Sequence, residues 1–268
     1  MSVPAPPAGA APPGPALQVE QLTKHFGGVN AVTDCSFAAP RHRVTGLIGP
    51  NGAGKSTAID CISGFKRPDA GMVLFGDRAI TGLPPHRIAR LGLVRTFQTP
   101  REWPQLTVME NLILSRYQPR REGLWRGMLR GGHVADQAEL AQVREVLDQF
   151  GLLGLRNERA GNLSGGQKRL VEFARIRIAE PELVILDEPM GGVNPVLGER
   201  MAAAIETLVA HGAAVVLVEH NLPFIERVTQ HVVVMAHGAV IAAGPFEAIR
   251  SDRAVIDAYL GTQRTDDA

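Results

Sequence analysis

The run Gly49-Pro50-Asn51-Gly52-Ala53-Gly54-Lys55-Ser56 has the form GxxxxGKS. Glycines at such positions let backbone N–H groups approach phosphate oxygens that a side chain would keep away, and a following helix adds the positive end of its dipole. In a loop of this form Lys55 reaches the β- and γ-phosphates of a nucleotide, and the Ser56 hydroxyl turns to Mg²⁺. Pro50, Asn51, Ala53 and Thr57 complete the candidate nucleotide-contacting stretch. Further on, Leu186-Asp187-Glu188-Pro189 puts two adjacent carboxylates at the end of an apolar run. Ligands of open α/β sheets sit outside the carboxyl ends of the strands, so these acids should face the phosphates. Asp187 is suited to hold Mg²⁺ through a water, and Glu188 to polarise the attacking water as general base.

Between these two lies Leu163-Ser164-Gly165-Gly166-Gln167, followed by Leu170, Val171, Phe173 and Ala174 at helical spacing. A helix start built of small residues is an anion site. One nucleotide needs one phosphate cradle, so a second anion site predicts a γ-phosphate belonging to another subunit. The same residues also describe an N-capping serine before a Gly-Gly turn. The order of the three motifs favours an ATPase whose site is completed by a second domain of the same kind.

These residues require strands and helices to hold them. Val44–Ile48 is a buried-strand pattern running into the phosphate loop, and 56–62 reads as the helix behind it. Short β-type runs at 17–22, 31–37 and 71–75, a turn at 68–71 and a short helix at 85–91 surround that unit. From about 107 to 180 the texture is mostly helical. Thr107 with Glu110 forms a capping box, while Leu140, Val143, Leu147 and Phe150 recur at helical spacing before Gly151 ends the helix. Apolar strands at 183–186 and 213–218 flank a helix near 195–210, as in a parallel sheet covered on both faces. A strand at 231–235, a hairpin return at 238–243 and one terminal helix from about 245 to 260 complete the chain. The fold class expected is an α/β P-loop NTPase with an antiparallel β subdomain and an inserted helical subdomain. One nucleotide-binding domain is expected over 17–261, with tails at 1–16 and 262–268; no internal repeat suggests a second.

Bulk properties narrow the function. The 268 residues carry 28 basic and 27 acidic side chains, which gives no global electrostatic case for a nucleic-acid partner. Cys35 and Cys61 are the only cysteines and lack metal-ligand spacing, so neither a disulfide framework nor a zinc site is expected, and a reducing compartment fits. No apolar run approaches the ~18 residues of a spanning helix, and the Pro/Ala-rich segment 3–16 has neither the basic start nor the Leu-rich centre of a signal peptide. It reads as a disordered lead-in to a cytoplasmic protein.

With these motifs in this order, the chain resembles the nucleotide-binding subunit of an ABC transporter from Leu17 to Gly261. The resemblance implies ATP and Mg²⁺, a second ABC ATPase subunit (another copy or a paralogue), transmembrane permease subunits and, indirectly, a solute-binding protein outside the membrane. By position it makes Phe26 the aromatic that stacks on adenine, Gln98 the glutamine that meets the metal and γ-phosphate and couples to the permease, and His220 the switch histidine. By chemistry alone Phe26 is equally a core residue, Gln98 a surface polar group and His220 a satisfied strand-end histidine. Two departures stand out: Asn194 occupies a common Asp position, and Arg41-His42-Arg43 replaces a glycine turn. Gly192-Val193-Asn194-Pro195, the stretch Phe97-Gln98-Thr99-Pro100-Arg101-Glu102-Trp103 and the end Asp257-Ala258-Tyr259-Leu260-Gly261 resemble the ATPases of branched-chain amino-acid importers. The insert 115–132, with five arginines beside Leu124, Trp125, Met128 and Leu129, resembles the longer ATPase of those importers. It reads either as a permease- or headgroup-facing piece or as a solvated loop. Alternatives are an export or lipopolysaccharide-extraction ATPase and a soluble, non-transport ABC ATPase.

Overall fold

A computed structural model describes residues 14–96, 102–116, 137–191 and 195–263. Gln98, Asn194 and nearly all of the arginine-rich insert therefore lie outside the described residues.

Two sheets carry the molecule. Strands β1 (Leu17–Phe26) and β2 (Val29–Ala39) form a hairpin, joined by β4 (Ala70–Phe75) and the short β5 (Arg78–Ala79) in the order β2-β1-β4-β5. All pairings in this sheet are antiparallel. The second sheet has the order β10-β9-β3-β8-β7-β6, built from β3 (Val44–Ile48), β6 (Leu93–Arg95), β7 (Leu183–Asp187), β8 (Ala214–Val218), β9 (His231–Ala236) and β10 (Ala239–Gly244). Its four pairs from β9 to β6 are parallel, and β10 returns antiparallel on β9.

The parallel strands are largely apolar because each face has its own cover. Val184, Leu186, Val215, Leu217, Val232 and Val234 point into one core with the helical segments. Leu183, Ile185, Val216, Val218, Val233 and Met235 point into the other, with β1, β2 and helix α1 (Lys55–Ile62). Full burial of each such side chain contributes about 1.5–3 kcal/mol. Helices α2 (Pro85–Leu91), α3 (Val108–Arg116), α4 (Gln137–Gln149), α5 (Gly165–Ala179) and α6 (Pro195–Ala210) follow in chain order, then α7 (Leu222–Val228). At the start of α3, Thr107 and Glu110 exchange bonds as a capping box: the Thr107 N–H donates to Glu110 Oε2 at 2.7 Å and the Glu110 N–H to Thr107 Oγ1 at 3.2 Å.

Three details depart from the sequence reading. β6 is a three-residue strand too short to announce itself. The expected terminal helix is two, α8 (Phe246–Arg250) and α9 (Arg253–Gln263), because Asp252 turns its Oδ1 back to the Ala254 and Val255 N–H groups and caps a new start. Ala16, assigned to the lead-in, is buried and its N–H donates to Ala39 O at 2.9 Å, so the fold begins slightly earlier. Among the described residues no helix is long and apolar enough to cross a membrane.

Candidate active site

Register brings the phosphate loop and the paired carboxylates to one rim. Leu47 of β3 and Asp187 of β7 are both opposite Val218 of β8, so the loop after Ile48 and the turn at Glu188 leave the sheet side by side. The loop itself tolerates no side chain at two glycines. A Cβ on Gly49 would stand 2.0 Å from the Met235 carbonyl oxygen, and one on Gly54, at φ +96°, 2.3 Å from that of Ala31. Gly52 instead faces open space, leaving room for a ligand to approach its backbone. Asn51 and Gly52 are exposed, Ala53 is buried, and Pro50 and Gly54 are half-buried.

Lys55 is buried, and its Nζ donates to Gly49 O at 2.7 Å and to Pro50 O at 2.9 Å. Burial pulls its pKa down from the usual lysine value, opposed by the charges of Glu188 and Asp187. The ammonium is thus held against the loop within the field of both acids. Ser56 beside it is exposed and Thr57 half-buried.

Asp187 is buried, and its two oxygens differ. Oδ2 accepts from Arg95 Nη2 at 2.9 Å, while Oδ1 has no partner. Its N–H donates to Thr96 Oγ1 at 3.2 Å. A buried acceptor without a donor costs about 1–3 kcal/mol, a reason to expect a cationic or water ligand there. Among the described residues no group of three His, Cys, Asp or Glu side chains forms a cage of its own. The unpartnered Asp187 oxygen and the hydroxyl of Ser56, on the helix after the phosphate loop, are oxygen donors of the kind Mg²⁺ takes. Glu188 is half-buried at φ +47°, with its N–H donating to Val218 O at 2.9 Å. A non-glycine residue held there stores about 1–2 kcal/mol.

The neighbouring Glu219 was not singled out in the sequence, and it is fully buried. Its Oε1 accepts from the Met190 N–H at 2.8 Å, and Oε2 from the N–H groups of His220 at 2.9 Å and Asn221 at 3.2 Å. One carboxylate therefore ties the turn after Glu188 to the loop carrying His220. The signal was present as a charge ending the apolar run Ala214–Val218. The His220 ring is exposed, with Nδ1 3.7 Å from Glu219 Oε2, so it is not a satisfied interior histidine.

Away from this rim, Ser164 caps α5. Its Oγ accepts from the Gln167 N–H at 3.3 Å, and the Gln167 side chain accepts from the Ser164 N–H at 2.9 Å. The capping reading is realised, and it occupies the Gln167 side chain. A Cβ on Gly165 would meet open space, whereas one on Gly166 would fall 2.3 Å from a methyl of Leu197. No described hydrogen bond joins Ser164–Gln167 to residues 49–57. Phe26 is 43 % exposed, with Lys24 and Lys66 ammonium groups 5.4 and 5.6 Å from its ring centre, which sets aside a core role. A separate cleft of about 410 Å³, lined by Arg41, Arg78, Arg90 and Glu182 among others, opens where β7 begins, at the end of the strand opposite to Asp187.

Comparison with known proteins accords with this geometry. The sequence profile described as "ABC transporter" matches residues 32–191, and that described as "Branched-chain amino acid ATP-binding cassette transporter" matches residues 239–264. The chain is 39 % identical over 248 residues to the probable branched-chain amino acid transport ATP-binding protein LivG of Archaeoglobus fulgidus, covering 92 % of this chain and 96 % of that one. It is 37 % identical over 254 residues to the high-affinity branched-chain amino acid transport ATP-binding protein LivG of Salmonella typhimurium, covering 92 % and 98 %. The crystal structure of the ADP conformation of an ATP-binding cassette of an ABC transporter superposes with a TM-score of 0.79 at 33 % identity, covering 92 % of this chain and 98 % of that one. By these matches this chain belongs to the ABC transporter family as one of its ATP-binding cassettes.

Proposed function

We propose that this cassette, formed by residues 17–261, spends ATP hydrolysis on the import of branched-chain or related amino acids, docked on permease subunits at the cytoplasmic face of a membrane. The names of its relatives and the match of residues 239–264 to the importer profile support that substrate class. A solute-binding protein would deliver the amino acid to the permease and never touch this chain.

The observation that carries the mechanism is the buried Lys55 ammonium beside Asp187, with its unpaired Oδ1, and Glu188. In the proposed site, backbone N–H groups of residues 49–57 and the Lys55 ammonium surround the β- and γ-phosphates, and Phe26 stacks on the adenine. The Ser56 hydroxyl, Asp187 through a water and Gln98 would hold Mg²⁺, which would supply charge neutralisation on the phosphate oxygens. Glu188 accepts a proton from the attacking water as its oxygen bonds to the γ-phosphorus, and the bond to the bridging oxygen of ADP breaks in line. His220, held by Glu219, contacts the γ-phosphate. Ser164, Gly165 and Gly166 of a second copy close over the same γ-phosphate, with Gln167 behind them. Because one chain carries both a whole phosphate loop and the whole run Leu163–Gln167, two copies related by a two-fold axis would complete two equal sites.

Replacing Glu188 by Gln keeps the side chain's size and removes its basicity. Steady-state phosphate release from the full chain is expected to fall by about 10²–10³, while fluorescent-ATP affinity stays near that of the parent. Hydrolysis at a near-parent rate would remove Glu188 from the role of base.

A further inference from the structure

Arg95 sits on β6, and nothing in the nucleotide chemistry calls for a guanidinium there. Its side chain is 8 % exposed. Nη1 reaches Asp60 Oδ1 at 2.6 Å and Ser63 Oγ at 3.1 Å, and Nη2 reaches Asp187 Oδ2 at 2.9 Å. Its guanidinium carbon lies 5.5 Å from the centre of the Phe65 ring. Asp60 also accepts from Lys66, so two carboxylates and two cations form a neutral cluster.

We propose that Arg95 is a positioning residue for the metal-binding pole: it pins Asp187 Oδ2, leaves Oδ1 as the one oxygen facing the nucleotide, and fixes the distance between β7 and the helix that carries Ser56. The proposal rests on the reading of Asp187 as the carboxylate that meets Mg²⁺.

Asp60 and Ser63 belong to α1 and its C-terminal turn, the helix that begins at Lys55 and Ser56, while Asp187 ends β7. Ser56 and Asp187 are thus on different elements, and the planar fork of one arginine joins those two elements through Asp60 and Asp187. A carboxylate free to rotate would offer either oxygen; one whose Oδ2 is held by a charge-assisted bond offers a single, fixed acceptor. Asp187 is held a second time by Thr96, the next residue along, whose Oγ1 takes the Asp187 N–H at 3.2 Å while its own N–H bonds Ile185 O at 2.9 Å. Side chains that orient a metal-binding carboxylate in this way change metal affinity or activity by about 10–100-fold when removed. A lysine keeps the charge but is a point donor and cannot bridge two carboxylates on separate elements.

The test measures binding and not turnover. The dissociation constant of mant-ADP is determined in EDTA and in excess Mg²⁺ for the parent chain, Arg95→Lys, Asp60→Asn and Asp187→Asn, each with a thermal melt. The expected result is that Arg95→Lys keeps the EDTA affinity and loses about tenfold of the Mg²⁺-dependent gain. Asp60→Asn, which frees one arm of the guanidinium without touching Asp187, should shift the gain in the same direction by less. It serves as the readout if Arg95→Lys does not fold. A parent-like gain in Arg95→Lys, or in Asp60→Asn where the former is unfolded, overturns the proposal. So does an equal loss of affinity with and without the metal, which would mean that Arg95 merely supports the loop. An unchanged gain in Asp187→Asn would instead sink the reading of Asp187 itself, and the proposal with it.

Discussion

Glu219→Gln changes a single atom type in a fully buried carboxylate, and its consequence follows from the hydrogen-bond count. The carboxylate takes the Met190 N–H on one oxygen and the His220 and Asn221 N–H groups on the other. An amide has one acceptor oxygen. If that oxygen keeps the His220 and Asn221 pair, the new NH₂ group faces the Met190 N–H, donor against donor. Orphaning one buried donor costs about 1–3 kcal/mol. The two bonds that survive pass from charge-assisted to neutral and lose roughly half their strength. A total near 3 kcal/mol corresponds to a fall in melting temperature of about 6–12 °C for a domain of this size. The catalytic effect has a separate origin. Met190 lies two residues beyond Glu188, whose φ of +47° persists because its surroundings hold it. Releasing the Met190 N–H lets that turn relax, and recovery of about 1.4 kcal/mol of strain would appear as a roughly tenfold drop in turnover. Thermal melts by circular dichroism and steady-state phosphate release at a temperature where both proteins are folded separate the two effects. A melting point within about 2 °C of the parent, together with unchanged turnover, would refute the claim that this carboxylate organises the rim.

Two further expectations concern groups outside the reacting centre. Burial tends to raise the Asp60 carboxyl's pKa, but hydrogen bonds from Lys66 and Arg95 outweigh it and hold the group below the usual aspartate value. A native pKa below the unfolded one gives stability that is present above the unfolded value, about 3.9, and is lost as pH falls through the lowered native value. Asp60→Asn should therefore be less stable than the parent near neutrality and lose less stability as pH falls below about 4 in urea titrations; parallel curves would count against the ion cluster. Burial also pushes the Cys35 thiol up to about 12 and that of Cys61 up to about 11. A thiolate-selective reagent near pH 8 should find neither in the folded chain and both in guanidinium, and rapid native labelling of either would contradict their place in the core.

Much of the site is legible in sequence because its chemistry is local. Residues 49–56 are one contiguous stretch running from loop into helix, Asp187 and Glu188 are adjacent, and the Ser164–Gln167 cap closes within four residues, so spacing alone describes each. The apolar runs 183–186 and 213–218 are strands buried on both faces, as their lack of alternation implies. What spacing cannot carry is pairing across the fold. Arg95 reads as an ordinary charged residue until β6 sets it between Asp60 and Asp187, far apart in the chain. Glu219 reads as the residue before a histidine until the turn after Glu188 is seen to close on it. Gly166 reads as part of an anion site, yet its missing Cβ also makes room for Leu197, a contact with α6 that no local pattern announces. The break at Ser251-Asp252 does not show in the sequence because an Asp inside a helical pattern is permissible; what decides is that its side chain turns back to cap the next helix.

The claim on which the account turns is that the nucleotide is closed between two copies of this chain. Light scattering on Glu188→Gln, with and without Mg·ATP, addresses it directly, since binding persists while the product states that reopen the interface are not reached. The expected mass is 28.7 kDa without nucleotide and twice that, about 57 kDa, with it, and adding Ser164→Arg should abolish the shift. A mass that stays at 28.7 kDa while ATP is bound would contradict it.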